Sequence, residues 1–246
     1  MSETAFELKT ADGACPCYAY TAPGDRPAPA VILFMDGIGI RPDLRAMAER
    51  LASNGFYVLL PNLYYRGGPT PVFDPATLMQ DPVQRDRMMQ LVRSVTSTGV
   101  TSDTAACLAH LSAAPKVKGS RVGCVGYCMG GSVALRAAAN YPDRIAAAAS
   151  IHGAGLATDL PDSPHRGLPK VRGAVYVAVA GIDPWLQPGE TERLHAELEA
   201  SGIRYDVEEY PGVQHGFAAN GTPHYDRAAA ERHWDRILAL FRAELS

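Results

Sequence analysis

The chain has 246 residues, of which 47% are hydrophobic and 20% charged. At about 150 residues per domain, this length allows one large or two small domains, and it can bury a sizeable core without disulfides or metal ions. The 23 basic and 26 acidic residues give a net charge of −3. This charge does not indicate binding to nucleic acid or to an anionic membrane, which attract strongly basic proteins. Since nearly half of the residues are apolar, extensive disorder is not expected.

The N-terminal segment and the cysteine count both bear on where the protein works. The first ten residues lack the basic and apolar regions of a signal peptide, so we expect none. The longest apolar runs, residues 30–35 and 174–180, are shorter than the about 20 residues of a membrane helix. Five cysteines are an odd number, which favours free thiols in a reducing compartment. We therefore expect a cytoplasmic protein.

Hydrophobic periodicity predicts alternating strands and helices along the chain. The predicted strands are residues 6–9, 16–20, 30–35, 56–60, 121–126, 146–151, 174–180 and 204–209. The predicted helices are residues 42–53, 82–94, 102–113, 129–141, 190–200 and 224–245. The apolar runs after residue 30 are continuous, as in strands covered on both faces. This pattern predicts a single α/β domain over residues 1–246, with a mostly parallel central sheet of about eight strands flanked by helices and no large lid domain.

The strongest motif follows the strand predicted at residues 121–126, and it centres on Cys128. Ligands of such sheets bind beyond the carboxyl ends of the strands, which is where this motif lies. Gly126-Tyr127-Cys128-Met129-Gly130 is the nucleophile-elbow pattern with Cys in place of Ser. The N-terminus of the next helix favours a thiolate, and the Met129 N–H is one candidate oxyanion donor. The alternative is a structural cysteine beside a strand–helix turn.

Two later strands are followed by residues that complete a catalytic set with Cys128. Asp183 follows the strand at 174–180, and His215 follows the strand at 204–209. The order nucleophile, acid, base is that of α/β-hydrolases. His215 would then move the proton, and Asp183 would hold its tautomer and orientation. Each residue alone fits a turn or loop, but the three together predict a triad.

Other strand ends offer further candidates. In Asp36-Gly37-Ile38-Gly39 we expect Gly37 to supply the second oxyanion N–H, and Asp36 either to modulate the protonation of Cys128 or to cap its own loop. His152 ends the strand at 146–151, where it either lines the pocket or is a hydrogen-bonded structural residue. No His, Cys, Asp or Glu residues have metal-ligand spacing, so neither a metal nor another cofactor is expected.

These motifs resemble the dienelactone hydrolase family of α/β-hydrolases, also called carboxymethylenebutenolidases. The resemblance extends over residues 6–245. It is carried by Met35-Asp36-Gly37-Ile38-Gly39, Leu60-Pro61-Asn62-Leu63-Tyr64, Val125-Gly126-Tyr127-Cys128-Met129-Gly130-Gly131, Gly181-Ile182-Asp183 and His215-Gly216-Phe217. It implies a Cys–His–Asp triad without a metal, attack on an ester or lactone carbonyl, and an acidic residue that modulates the nucleophile.

The chain also departs from the pattern of this family. Asp36 is one methylene shorter than the Glu that the family typically has. Ala219 stands where the resemblance implies a carboxylate-binding Arg, and the second such Arg corresponds to Arg85 or Arg87. Loss of a bidentate charged partner weakens recognition of an anionic lactone. The predicted substrate-contacting residues are Arg85, Arg87, Tyr64, His152 and Phe217.

The sequence therefore predicts a cysteine-dependent hydrolase of ester or lactone bonds. The same three residues would also serve a thioesterase or an acyl-transfer enzyme. A different class of function, a non-hydrolytic binding or redox-responsive protein on the same fold, is favoured by the shortened acid and the missing Arg. The expected partner is a small-molecule ester or lactone, with no nucleic acid or membrane, and the expected assembly is a monomer or small homo-oligomer.

Overall fold

Eight strands of the chain form one sheet in a computed structural model that describes residues 2–22, 24 and 26–245. The strands are β1 (Ser2–Thr10), β2 (Gly13–Thr21), β3 (Ala30–Phe34), β4 (Tyr57–Pro61), β5 (Val122–Tyr127), β6 (Ile145–Ile151), β7 (Ala174–Ile182) and β8 (Tyr205–Gln214). Their order across the sheet is β1-β2-β4-β3-β5-β6-β7-β8. The β1–β2 and β2–β4 pairs are antiparallel and the other five are parallel. The predicted sheet is thus confirmed, whereas the terminal residues of the predicted domain, Met1 and Ser246, lie outside the described residues.

The helices cover both faces of the sheet. They are α1 (Pro42–Ser53), α2 (Pro82–Ser94), α3 (Ser97–Ala113), α4 (Met129–Asn140), α5 (Glu190–Ser201) and α6 (Arg227–Glu244). Helices α1 and α6 pack on one face, while α3 and α4 pack on the other. Strands β3 to β6 are buried along their whole length, which explains their continuous apolar sequences. No helix in the described part of the chain is long and apolar enough to cross a membrane.

Helix α3 begins at Ser97, five residues before the start that the sequence predicts. The Thr96 hydroxyl accepts a hydrogen bond from the Gly99 N–H at 3.1 Å and so caps the helix. The sequence did not predict this start, because glycine and β-branched residues in the first turn have low helix propensity. Helix α6 begins at Arg227 rather than at residue 224, because Asp226 caps it by accepting from Ala229 at 2.9 Å.

Strand β8 runs five residues further than predicted, through Gln214. It remains paired with β7 up to the Ile182–Gln214 pair, after a shift of register between Ala180 and Ile182. Pro211 interrupts the hydrogen-bonding pattern but is tolerated because β8 is the edge strand of the sheet. The two strands therefore end side by side, with Asp183 and His215 directly after them.

Helix α6 is anchored to β8 through the carboxylate of Glu208. Its Oε1 accepts from Arg232 at 2.5 Å and from Arg236 at 3.0 Å, and its Oε2 accepts from the hydroxyls of Tyr176 at 2.8 Å and Tyr210 at 3.1 Å. Burial alone would raise the pKa of Glu208, but these hydrogen bonds outweigh it and hold the pKa at about 2. The ionised carboxylate is therefore the form that stabilises the fold.

We expect Glu208→Gln to lower the free energy of unfolding by about 2–3 kcal/mol at pH 7, because the two guanidinium groups lose their counter-charge. The pKa of Glu208 is lower in the folded than in the unfolded state, so this stabilisation is complete above its ordinary value of 4.5 and disappears as the pH falls toward 2. Urea unfolding across this pH range measures it. The exposed neighbour serves as control: Glu209→Gln should change little, and equal effects of the two substitutions would contradict the expectation.

Candidate active site

Cys128 lies between β5 and α4 in a backbone conformation that is strained for a residue with a side chain. Its φ is 54° and its ψ is −120°, and its N–H donates to the carbonyl of Ile151 at 3.1 Å. A Cβ at Gly126 would lie 1.8 Å from the carbonyl oxygen of Gly130, so the turn closes only over glycine. The predicted elbow geometry is therefore present, and it places the thiol at the N-terminus of α4.

Gly130 brings the end of β3 against this turn. A Cβ at Gly130 would lie 2.5 Å from the carbonyl oxygens of both Phe34 and Met35. Because no side chain separates the two segments, the loop that begins at Asp36 lies next to the first turn of α4. This contact brings together the two backbone segments that the sequence predicts as sources of oxyanion donors.

The structure joins the other two predicted residues of the triad. His215 Nδ1 and Asp183 Oδ2 are 2.7 Å apart, and the Asp183 side chain is 1% exposed. The backbone fixes both ends, since the His215 N–H donates to the Ile182 carbonyl at 3.0 Å and the Trp185 N–H donates to Asp183 Oδ1 at 2.9 Å. With Nδ1 bound to the carboxylate, Nε2 is the nitrogen left to face the thiol.

The electrostatics of His215 favour its protonated form. Burial alone would lower its pKa, but the hydrogen bond to Asp183 and a hydrogen bond with Cys128 raise the pKa to about 10. An imidazolium beside a thiol stabilises the thiolate, which is the nucleophilic form of cysteine. The arrangement thus places a cationic imidazole beside the candidate nucleophile.

The loop after β3 contains Gly37, the second candidate oxyanion donor. Asp36 Oδ1 accepts from the N–H groups of Ile38 at 3.0 Å and Gly39 at 3.2 Å. The hydroxyl of Tyr64 donates to the Gly37 carbonyl at 2.8 Å, which fixes the orientation of that peptide. Gly37 and Met129 remain the two candidate donors.

Arg41 is a residue of the site that the sequence reasoning missed. Its Nη1 donates to Asp36 Oδ1 at 2.8 Å and to the Gly39 carbonyl at 3.1 Å, and the residue is 5% exposed. The negative charges of Asp36, Asp43 and Cys128 raise its pKa, although burial acts in the opposite direction and is the largest influence. The sequence did contain a sign of this role. Arg41 is the N-cap residue of α1, a position where Ser, Thr, Asp or Asn is usual.

The predicted substrate contacts lie in three different environments. Arg87 Nη2 donates to the carbonyls of Gly67 at 2.8 Å and Pro69 at 2.9 Å, and so fixes that loop. Arg85 lies on α2, with Asp86 at 4.0 Å as its described ion partner. Neither has a described contact with the triad. The roles of these two arginines in substrate binding stay predictions.

Tyr64, His152 and Phe217 lie next to the site, but as buried side chains. Tyr64 and Phe217 have no exposed surface, and His152 is 2% exposed. The ring of His152 lies between those of His215 at 4.8 Å and Phe217 at 5.2 Å. These three residues form the wall behind the triad in this structure, and substrate contact by any of them stays a prediction.

Two apolar side chains at the rim were also missed. Trp185 is 39% exposed, and its ring lies 6.4 Å from that of His215. Ile182, the last residue of β7, is 52% exposed. Large apolar side chains exposed next to a buried polar cluster are typical of a ligand-binding rim. Their place just before and after Asp183 is the signal that could have identified them.

Comparison with known proteins identifies relatives of this chain. The profile of the dienelactone hydrolase family matches residues 16–245. A carboxymethylenebutenolidase from Pseudomonas putida is 28% identical over 224 residues, which cover 89% of each chain. The crystal structure of a candidate dienelactone hydrolase from Klebsiella pneumoniae superposes with a TM-score of 0.84 at 22% identity, covering 98% of this chain and 99% of the other. A dienelactone hydrolase-like promiscuous phosphotriesterase from metagenomic libraries gives a TM-score of 0.74 at 24% identity, with both chains covered completely.

We expect Asp183→Asn to lower the pKa of His215 from about 10 to near or below its ordinary value of 6.5, because the carboxylate charge is lost while the burial remains. The amide oxygen can still accept from Trp185, so the loop should persist. NMR titration of 15N-labelled histidine rings measures the shift. Asp235→Asn on the exposed face of α6 is the control, and an unchanged His215 titration in Asp183→Asn would contradict the expectation.

Proposed function

The chain belongs to the dienelactone hydrolase family and hydrolyses ester or lactone bonds, and we propose that it does so through a covalent acyl-enzyme on Cys128. The observation that carries this proposal is the 2.7 Å contact between His215 Nδ1 and Asp183 Oδ2, with the thiol of the strained elbow on the other side of the imidazole. The proposed nucleophile, base and orienting acid each follow a different strand, and the carboxyl ends of these three strands lie at the same end of the sheet.

In the acylation step, the Cys128 thiolate attacks the carbonyl carbon of the ester or lactone. The carbonyl oxygen becomes an oxyanion, for which the N–H groups of Met129 and Gly37 are the candidate donors. As the C–O bond breaks, the imidazolium of His215 donates its Nε2 proton to the leaving alkoxide or enolate oxygen. Asp183 stabilises the charge and the tautomer of His215 throughout.

In the deacylation step, water replaces the leaving group at the thioester carbon. Neutral His215 accepts a proton from this water as the oxygen attacks, and the C–S bond then breaks to release the acid and the Cys128 thiolate. The proton stays on His215, which restores the initial ion pair. Both half-reactions use the same donors, so one arrangement serves the whole cycle.

The chemistry of the thiolate favours activated substrates. A thiolate is itself a good leaving group, so the tetrahedral intermediate of a simple alkyl ester tends to expel sulfur and return to substrate. Enol esters and lactones with stabilised leaving oxygens instead proceed to the acyl-enzyme. The exposed apolar side chains of Trp185 and Ile182 at the rim suit the hydrocarbon part of such a substrate. We therefore propose enol esters and lactones as the preferred class.

Asp36 is proposed to modulate the charge of Cys128 together with Arg41. The two side chains form a buried ion pair at 2.8 Å, with 8% and 4% of their surfaces exposed. The pKa of Arg41 is raised by both Asp36 and Cys128, so the charges of these three groups are coupled. The carboxylate then offsets the guanidinium and limits how strongly Arg41 stabilises the thiolate.

The proposed nucleophile also bears on the location of the protein. Cys15, Cys17, Cys107, Cys124 and Cys128 are all free thiols, and only Cys128 is not fully buried. A thiol nucleophile is preserved in a reducing compartment. A cytoplasmic location is therefore part of the proposal.

We expect Cys128→Ala to lower kcat/KM for p-nitrophenyl acetate and for an enol lactone at least about 1,000-fold, because the acyl acceptor is removed. Stopped-flow absorbance of the wild type should show a burst of p-nitrophenol, and peptide mass spectrometry should locate the acetyl group on Cys128. The matched control is Cys124→Ala, a buried thiol four residues earlier in β5, which should retain the burst. Equal rates in wild type and Cys128→Ala would refute the mechanism.

We expect Asp36→Asn to accelerate alkylation of Cys128 by iodoacetamide at pH 6 several-fold, because the uncompensated Arg41 charge favours the thiolate. The same substitution should destabilise the fold by about 3 kcal/mol, since it breaks a buried ion pair. Asp43→Asn is the control, because its carboxylate lies 3.5 Å from Arg41 Nε but is 26% exposed. An unchanged alkylation rate in Asp36→Asn would show that Asp36 only caps its loop.

A further inference from the structure

His152 lies at the end of β6 in a backbone conformation that few residues adopt. Its φ is 38°, and its N–H donates to the Ala178 carbonyl of β7 at 2.8 Å. Such φ values cost about 1–3 kcal/mol for residues with a side chain, although His is among those found there more often than most. In the described chain, His152 and Cys128 are the two residues other than glycine with positive φ, and both lie at the triad.

The ring of His152 is buried with both of its nitrogens unpaired in the described part of the chain. The residue is 2% exposed, and neither ring nitrogen has a hydrogen-bond partner among the described residues. An unpaired buried donor or acceptor costs about 1–3 kcal/mol. Burial, and then the charges of His215, His233 and Arg41, hold the pKa of His152 well below its ordinary value, so the ring is neutral. A strained backbone and unpaired polar atoms at one position suggest a function in the site.

Of the three aromatic rings around His152, those of His215, Phe217 and Tyr127, the imidazole of His215 is the nearest. The two ring centroids are 4.8 Å apart, and the planes meet at 59°. Phe217 packs edge-on against the other side of His152 at 5.2 Å and supports it. The hydrogen bond from His215 Nδ1 to Asp183 holds one side of the His215 ring, and the ring of His152 packs against its face. A neutral ring at this distance restrains the tilt of the His215 ring without repelling the imidazolium, which a second cation would do.

We propose that His152 is a positioning residue: its neutral ring packs against His215 and fixes the ring plane that directs Nε2 at Cys128. This inference rests on the proposed function, because it assumes that His215 transfers the proton. The ring itself, rather than its nitrogens, performs the task. A misplacement of about 1 Å in a reacting group can lower a rate about 100-fold, so loss of the contact should be visible in turnover.

The test compares variants that delete the ring with one that keeps it. We expect His152→Gly, which relieves the backbone strain but leaves a cavity where the ring was, to remain folded and yet to lower kcat about 10- to 100-fold. KM should change less than about threefold, because no substrate contact is lost. His152→Asn, a residue that also tolerates positive φ, should behave in the same way. His152→Phe keeps an aromatic ring against His215 and should retain kcat within about fivefold.

Three results would overturn the proposal. A folded His152→Gly or His152→Asn with wild-type kcat would show that the ring is dispensable. A folded His152→Phe as slow as His152→Gly would assign the effect to the nitrogens instead. A rise in KM with unchanged kcat would make His152 a substrate contact. These outcomes are separate from failure of the proposed function, which Cys128→Ala tests by itself.

Discussion

Cys128 can hold its left-handed backbone only because two neighbouring positions carry no side chain. The missing Cβ of Gly126 makes room for the Gly130 carbonyl, and the missing Cβ of Gly130 makes room for the end of β3. The same close contacts bring the thiol, the first turn of α4 and the Asp36 loop together. The same packing therefore causes the strain at Cys128 and places the candidate oxyanion donors. The neighbouring strands β3 and β5 hold it in the centre of the sheet.

Asp183 and His215 are placed from the other half of the sheet, by the extended pair of strands β7 and β8. Strands β7 and β8 stay paired beyond the rest of the sheet, and the His215 N–H closes the pair on the Ile182 carbonyl. Backbone hydrogen bonds between the two strands thus place Asp183 and His215 next to each other, independently of the contact between their side chains. Burial of the pair then makes each hydrogen bond and charge more effective than it would be in water.

The sequence predicted the sheet because apolar strand runs are local patterns, and the order of the strand ends predicted the contact between Asp183 and His215. The starts of α1 and α2 agree with the prediction, since Pro42 and Pro82 mark the first turn of each helix. The start of α3 was wrong because its capping residue, Thr96, precedes a turn of poor helix formers. The continuation of β8 was missed because Pro211 and Gly212 together are typical of a loop.

Site features that depend on burial could not be predicted in this way. Arg41 and Asp36 are five residues apart, but nothing local shows that their ion pair is excluded from water. The unpaired ring of His152 and its packing on His215 follow from the meeting of three strands distant in sequence. Chain order therefore identifies which residues meet, while the partners of each polar atom emerge only from the packed structure.

The end of β8 has a consequence beyond placing His215. An edge strand of ten residues presents a row of free N–H and C=O groups, to which a strand of another protein can pair. In β8 this row is broken near the site, because Pro211 has no N–H and Gly212 bends the backbone at a φ of 74°. The distortion next to His215 thus also interrupts the template on which a strand of another molecule could add.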